Sequence, residues 1–387
     1  MKISVGVFFG GRSVEHEVSV ITAMQAIAAM DEKKYHVVPV YIAKTCEMYT
    51  GPGFDKIEAY RDIPALLEKG EQVSLLRADG GGLLVPRRRK LFGRQDGIPL
   101  DVAFPIVHGT NAEDGTLQGM FESVGMPYVG CDILSSAVCM DKAVSKQLLR
   151  AHGLPVLPGE TLDAFAYDND HTAAVSRLEE AVAYPLIVKP VNLGSSVGIA
   201  RASDRASLLA ALDAAFAYAP RVIVERAVSP LREINCAVLG DCEGARASVC
   251  EEPLGQDEIL SYADKYQTSG GKKSGMSTQK RRLPADLPEA LSRSIQSAAV
   301  DAFQALGCAG VVRVDFLLEG GVFYVNELNT IPGSLSFYLW EASGLPFPAL
   351  TGELLNLAFA RKRRREGLTF TFDTNILSAG HLHFGKK

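Results

Sequence analysis

The sequence predicts an α/β fold in two or three lobes, with α+β character in its C-terminal lobes, and three features carry that expectation. Ile3 to Phe9 is a largely apolar run, closed by Gly10-Gly11 and followed from His16 to Met30 by apolar residues at helical spacing. This is a βα unit with a strand buried on both faces. From Met140 the texture changes to a helix carrying Asp141 and Lys142, a turn at Gly153 to Pro158, and the strand Leu186 to Lys189. The third feature is a pair of strands around a glycine turn: Val311 to Phe316, then Glu319-Gly320-Gly321, then Val322 to Asn329.

In chain order, Tyr35 to Ile42 repeats the first strand pattern, and Asp101 to Val107 gives another strand ending at His108-Gly109. The first third therefore reads as an open α/β layer, whose ligands belong at the carboxyl ends of its strands. Glu15 suits the dipole at the start of the first helix, with Ser13 as its cap. Arg221 to Glu225 and Glu233 to Leu239 read as further strands. The polar segment 257–284, rich in Gly, Lys, Ser and Thr, reads as a functional lid. The basic run Arg87 to Lys90 reads as a solvated hairpin or loop, and Arg361 to Arg365 as cations favouring a helix C-terminus.

Composition narrows the function. A chain of 387 residues, 47% hydrophobic and 22% charged, can bury large cores. Its formal net charge of -5 gives no basic face for nucleic acid, so small-molecule chemistry is expected. Seven cysteines are scattered without a CxxC pair, which suggests neither a disulfide framework nor a zinc site and fits a reducing cytoplasm. Neither a signal segment nor a membrane-spanning window is expected.

The strand pair near the C-terminus is the richest in chemistry. Side chains alternate along a strand, so Arg313 and Asp315 share a face, as do Glu327 and Asn329. A three-residue turn would pair odd positions on the two strands and bring all four groups together. Hard oxygen donors beside a cation suit Mg²⁺, held by carboxylates and nucleotide phosphate oxygens. Lys189 at a strand end, followed by the loop Asn192 to Gly198 with Ser195 and Ser196, suits phosphate, although the loop is not a Walker A sequence. Gly10 to His16 lacks the GxGxxG spacing, so a nicotinamide-dependent oxidoreductase is not supported.

Residues 1 to about 360 resemble the D-alanine:D-alanine ligase family of the ATP-grasp superfamily. The resemblance runs through three segments in the family's order: Gly10 to Ser19, Phe104 to Gly109 leading to Glu113-Asp114-Gly115-Thr116, and Asn326 to Gly333. It implies an N-terminal substrate-binding α/β domain (1–130), a central ATP-grasp subdomain (131–220), a C-terminal one with metal site and lid (221–365), and a tail (366–387). It implies further that Lys142 and Lys189 grip ATP phosphates, that Glu225 and Val228 lie near the adenine, and that Glu233 meets the ribose. Asp315, Glu327 and Asn329 would bind two Mg²⁺ or Mn²⁺ ions. Glu15 would bind the ammonium of the first amino acid, linked through Ser195 and Tyr266 to the lid, and His108 would lie near its carboxylate. Arg313 would stabilise the oxyanion of amide formation.

The expected function is ATP-dependent ligation of two D-alanines in the cytoplasm for peptidoglycan precursors, by a homodimer. One departure touches the acceptor. After Gly333 the family usually carries a Ser-Leu pair for the second substrate's carboxylate, but here Tyr338 and Leu339 stand at those positions. The alternatives are another acceptor (D-serine, D-lactate or another small amino acid) and a non-catalytic ATP sensor. Lys265-Tyr266 resembles the lid of dipeptide-forming members, and a sensor needs no oxyanion cation such as Arg313.

Overall fold

The computed structural model describes residues 2–87, 97–254, 281–372 and 374. Tyr266, residues 88–90 of the first basic run, most of the expected lid and most of the tail lie outside the described residues.

The first sheet comprises β1 (Ile3–Gly10), β2 (Tyr35–Ile42), β3 (Met48–Thr50), β4 (Glu71–Ala78), β5 (Gly81–Pro86), β6 (Ile98–Leu100) and β7 (Val102–Ile106). Its order is β6-β5-β4-β3-β2-β1-β7. β2, β1 and β7 run parallel, as the expected α/β layer requires, and they read as solid apolar runs because both faces are covered. Val5, Val7 and Phe9 enter one core and Phe8 the opposite one. The antiparallel extension β3 to β6 was not foreseen; its strands are short and only partly alternating.

The second sheet, in the order β10-β9-β11-β8, uses β8 (Gly159–Asp163), β9 (Leu186–Pro190), β10 (Ala200–Ala202) and β11 (Arg221–Arg226). Helices His171–Ala181 and Arg205–Phe216 close a core of its own. The third sheet, β14-β13-β12-β15-β16, uses β12 (Arg232–Asp241), β13 (Gly244–Pro253), β14 (Arg281–Arg282), β15 (Gly310–Glu319) and β16 (Val322–Asn329). Alternation decides its packing. Val238, Val312 and Val314 face the helix Glu289–Ala305, whereas Ala237, Leu239 and Val311 join the core that contains Val7, Phe9 and Ile106. The first and third sheets thus share one core, and the second stands apart on its own.

Two expectations are corrected here. Asp141 is not inside a helix: it ends Ile133–Met140 and caps Lys142–Ala151, its carboxylate accepting from the Ala143 and Val144 N–H groups at 3.0 Å. The cations at 361–365 do more than complement the dipole of helix Phe347–Glu366. Arg361 donates to the Gly130 carbonyl at 2.7 Å and to that of Tyr128, Arg364 pairs with Asp241 (2.6 Å) and Glu243 (2.7 Å), and Arg365 pairs with Glu122. Among the described residues no helix is long and apolar enough to cross a membrane, and all seven cysteines are free.

Candidate active site

The three sheets converge on a cavity of about 850 Å³, whose wall includes Glu15 and His108 from the first, Lys189 and Ser195 from the second, and Arg313, Asp315, Glu327 and Asn329 from the third. Glu15 reaches it because the chain turns sharply after β1. Gly10 and Gly11 have φ of +95° and +89°, and a Cβ on Gly10 would lie 2.3 Å from the Ile42 carbonyl oxygen. Ser13 accepts from the Glu15 N–H at 3.2 Å, and the cap position of the first helix is Glu15 itself, not Ser13.

The loop Asn192 to Gly198 lies across Glu15. Ser195 and Ser196 adopt left-handed φ of +53° and +59°, and the Ser195 hydroxyl donates to the Glu15 carboxylate. Beside the loop, the Lys142 ammonium donates to the Leu193 carbonyl at 2.7 Å and pairs with Glu327 at 3.0 Å. Lys189 pairs with Glu225 at 2.8 Å and donates to Asn326 Oδ1 at 3.1 Å. The other Glu225 oxygen is held by Lys146, a buried lysine absent from the sequence expectations. Its place four residues after Lys142, on the same helix face, was the available signal. Burial brings the Lys146 ammonium down to about 8 against the pull of Glu225. Burial opposes charge on Glu225, but the two lysines outweigh it and bring the carboxyl down to about 2.

Glu225 therefore stands behind the cavity wall rather than on it. Its backbone neighbours Ala227 and Val228 line the cavity, as does Glu233.

Across the strand pair, Asp315 stands opposite Glu327 and Arg313 opposite Asn329, so the four groups share one face as expected. The route to this register differs from the expected three-residue turn. Glu319 pairs with Val322 around a two-residue Gly320-Gly321 turn, with φ of +57° and +87°. That turn alone would pair odd with even positions. A bulge at Asn326 adds the one residue that restores odd with odd, and it aims Asn326 at Lys189.

Arg313 forks onto Asp315 at 2.6 and 2.7 Å, and Asn329 Nδ2 donates to Asp315 at 2.9 Å. Each carboxylate is thus already matched to a cation: Arg313 on Asp315 and Lys142 on Glu327. Among the described residues no three His, Cys, Asp or Glu side chains group as a metal site. The donor set is two carboxylates and an amide, all oxygen, which fits a hard divalent cation completed by phosphate oxygens.

His108 is fully engaged: Nδ1 donates to the Ile331 carbonyl at 2.7 Å, and Nε2 accepts from the Thr22 hydroxyl at 3.1 Å. Burial lowers its pKa, so it is a neutral ring on the wall, holding the loop that leads to Gly333. Glu113, quoted in the sequence motif but given no role, accepts from the Gly109 N–H at 2.8 Å and the Ile331 N–H at 2.9 Å. Burial, and then the nearby Glu15, push its carboxyl up to about 8.

Gly333 and Tyr338 line the cavity, but Leu339 does not. Leu339 is fully buried in the shared core beside Trp340. The Tyr338 hydroxyl donates to Glu251 at 2.7 Å.

Comparison with known proteins agrees with this geometry. Residues 4–131 match the family described as D-ala D-ala ligase N-terminus, and residues 148–356 match D-ala D-ala ligase C-terminus. The D-alanine–D-alanine ligase of Thermosipho melanesiensis is 38% identical over 97% of this chain and 98% of its own length. That of Shouchella clausii is 40% identical over 97% and 100%. Among solved structures, the D-alanine–D-alanine ligase from Coxiella burnetii superposes with a TM-score of 0.78 at 32% identity, covering 94% of this chain and 96% of the other. The VanG D-Ala:D-Ser ligase from Enterococcus faecalis does so with 0.78 at 33%, covering 92% and 100%. With both halves matched in order and the three lobes meeting at one cavity, this chain belongs to the D-alanine–D-alanine ligase family and has its ATP-grasp fold.

Proposed function

We propose that this chain joins two D-alanines into D-alanyl-D-alanine, using ATP and releasing ADP and phosphate, as a cytoplasmic homodimer supplying peptidoglycan precursors. The observation that carries this reading is a single cavity in which two lysines and an Arg-Asp-Glu-Asn strand face meet a carboxylate from the N-terminal sheet.

Lys142 and Lys189 bind the ATP phosphates, with Ser195 and Ser196 presenting backbone N–H groups from their loop. The segment Arg226 to Val228 receives the adenine and Glu233 the ribose. Asp315, Glu327 and Asn329 would hold two Mg²⁺ or Mn²⁺ ions, whose charge would offset that of the ATP phosphates. Glu15, supported by Ser195, binds the first D-alanine's ammonium and leaves its carboxylate to attack the γ-phosphorus. As the carboxylate oxygen bonds to the γ-phosphorus, the bond from that phosphorus to ADP breaks and an acyl phosphate is formed. The second D-alanine's amine then attacks the acyl carbon, Arg313 stabilises the developing oxyanion, and phosphate leaves with its bridging oxygen. Tyr266 belongs to the segment expected to close over the site and keep water from the acyl phosphate.

Incubation with ATP, Mg²⁺ and a panel of D- and L-amino acids plus D-lactate should yield ADP, phosphate and D-alanyl-D-alanine by mass. Turnover only with another acceptor would replace D-alanine in this reading, and no turnover would favour a sensor. The first site can be probed at Gly109, whose φ is +75° and whose added Cβ would lie 2.6 Å from Glu15 Oε2. Gly109→Ala should cost about 1–3 kcal/mol in strain, seen as a first-site KM raised about tenfold with little change in the KM for ATP. An unchanged first-site KM would remove Glu15 from ammonium binding.

A further inference from the structure

The acceptor end of the cavity raises a question of charge that Tyr338 does not answer. A phenol has one proton, and that of Tyr338 goes to Glu251 Oε1 at 2.7 Å, an oxygen that also accepts from Asn235 Nδ2 at 3.2 Å. While that bond lasts, Tyr338 cannot also donate to a substrate carboxylate as the family's serine would. Burial, and then Glu251, raise the phenol's pKa, so it stays neutral.

A cation stands beside it. The Arg281 guanidinium lies 4.2 Å from the centre of the Tyr338 ring, and its Nη1 is 3.4 Å from Glu251 Oε2. Short strand β14 holds it there through pairing of Arg281 with Pro253 and of Arg282 with Glu252. Arg281 and Arg313 both line the cavity, and both act electrostatically on the Tyr338 hydroxyl. A guanidinium presents planar donors whose geometry matches a carboxylate.

Resting on the ligase reading above, we propose that Arg281 binds the carboxylate of the acceptor amino acid, stacked on Tyr338 and oriented by Glu251. This divides the labour between two guanidinium groups. Arg281 holds the negative end of the acceptor, so Arg313 is left for the oxyanion that forms as the amine attacks. Tyr338 serves as the wall over which the guanidinium sits, and its hydroxyl acts on Glu251 rather than on substrate.

The test pairs a change in the protein with a change in the acceptor. With D-alanine saturating the first site, acceptor use of D-alanine is compared with that of D-alaninamide, which lacks the carboxylate charge, by quantifying both dipeptide products by mass. Arg281→Gln should reduce kcat/KM for D-alanine as acceptor by about tenfold or more and leave D-alaninamide unchanged, with the KM for ATP unaffected. Arg281→Lys should recover most of the preference for D-alanine, and Tyr338→Phe should lose less on D-alanine as acceptor than Arg281→Gln does.

Equal losses on both acceptors in Arg281→Gln, or none on either, would overturn the proposal. So would a full loss in Tyr338→Phe, which would return the carboxylate to the phenol. If Arg281→Gln does not fold by circular dichroism, Arg281→Lys and Tyr338→Phe decide between the same two outcomes. Absence of any dipeptide from the unaltered chain would instead sink the ligase reading, and this proposal with it.

Discussion

Glu225→Ala should lower the unfolding free energy by about 3–5 kcal/mol, because it strands two buried ammonium groups rather than one contact. Lys189 lies 2.8 Å from one Glu225 oxygen and Lys146 holds the other, all three side chains being at least nine-tenths buried. Replacing a buried charge network by apolar groups can be neutral, but deleting its central carboxylate alone leaves like charges facing each other. Lys146 can relieve part of the cost by losing its proton, since its pKa already sits near 8. Urea denaturation followed by circular dichroism measures the loss. A change under 1 kcal/mol would show that the lysines find other partners.

The same network sets a pH dependence whose sign is fixed. The Glu225 carboxyl has a folded pKa of about 2 against an ordinary 4.5, so it contributes stability above 4.5 that fades as pH falls toward 2. The shift corresponds to about 3 kcal/mol at most. Lys146 has the same sign in a higher window: between about 8 and 10.5 the unfolded chain holds the extra proton, so this group too makes stability rise with pH. The Glu225→Gln variant should lose the acid limb, while the Lys146 window widens toward lower pH because Glu225 no longer helps hold its proton. An identical acid limb in wild type and variant would assign it to other carboxylates.

How much of this was legible before the fold was known varies with the length over which the signal runs. The parallel strands, the helix after Gly11 and the strand pair at 311–329 were readable because apolar runs and glycine turns are local. The face shared by Arg313, Asp315, Glu327 and Asn329 was also foreseen, yet through the wrong turn. A two-residue loop followed by a bulge gives the same parity as a three-residue loop, and alternation alone cannot distinguish them. Leu339 and Glu225 were placed at the site by the family resemblance, and the structure turns the side chain of the first into the core and that of the second behind Lys189. Lys146, Glu251 and Arg281 were missed because their partners lie 79, 87 and 30 residues away along the chain. The arginines at 361–365 show the same limit: a charge run looks solvated until its carbonyl and carboxylate partners are brought in from elsewhere.

Arg313→Ala should separate the two halves of the reaction. Its guanidinium is fixed before any substrate arrives, forked onto Asp315 at 2.6 and 2.7 Å from a strand whose register the Asn326 bulge sets. Donors held in advance stabilise charge that appears only as the bond forms, and removing one such donor costs about 2.7–4 kcal/mol, or 10²–10³ in rate. The lysines proposed to bind phosphate lie on other elements, so the KM for ATP should change little. Formation of the acyl phosphate should persist, and in the slowed variant water has time to hydrolyse it. ADP release would then outrun dipeptide formation, whereas the unaltered chain keeps the two equal. Arg313→Ala also leaves Asp315 with Asn329 Nδ2 as a remaining partner at 2.9 Å, so some loss of metal affinity is expected and Mg²⁺ must be varied to saturation. Dipeptide formation at the full rate would remove Arg313 from the chemistry. Equal loss of ADP and dipeptide at saturating Mg²⁺ would move its role back to phosphoryl transfer.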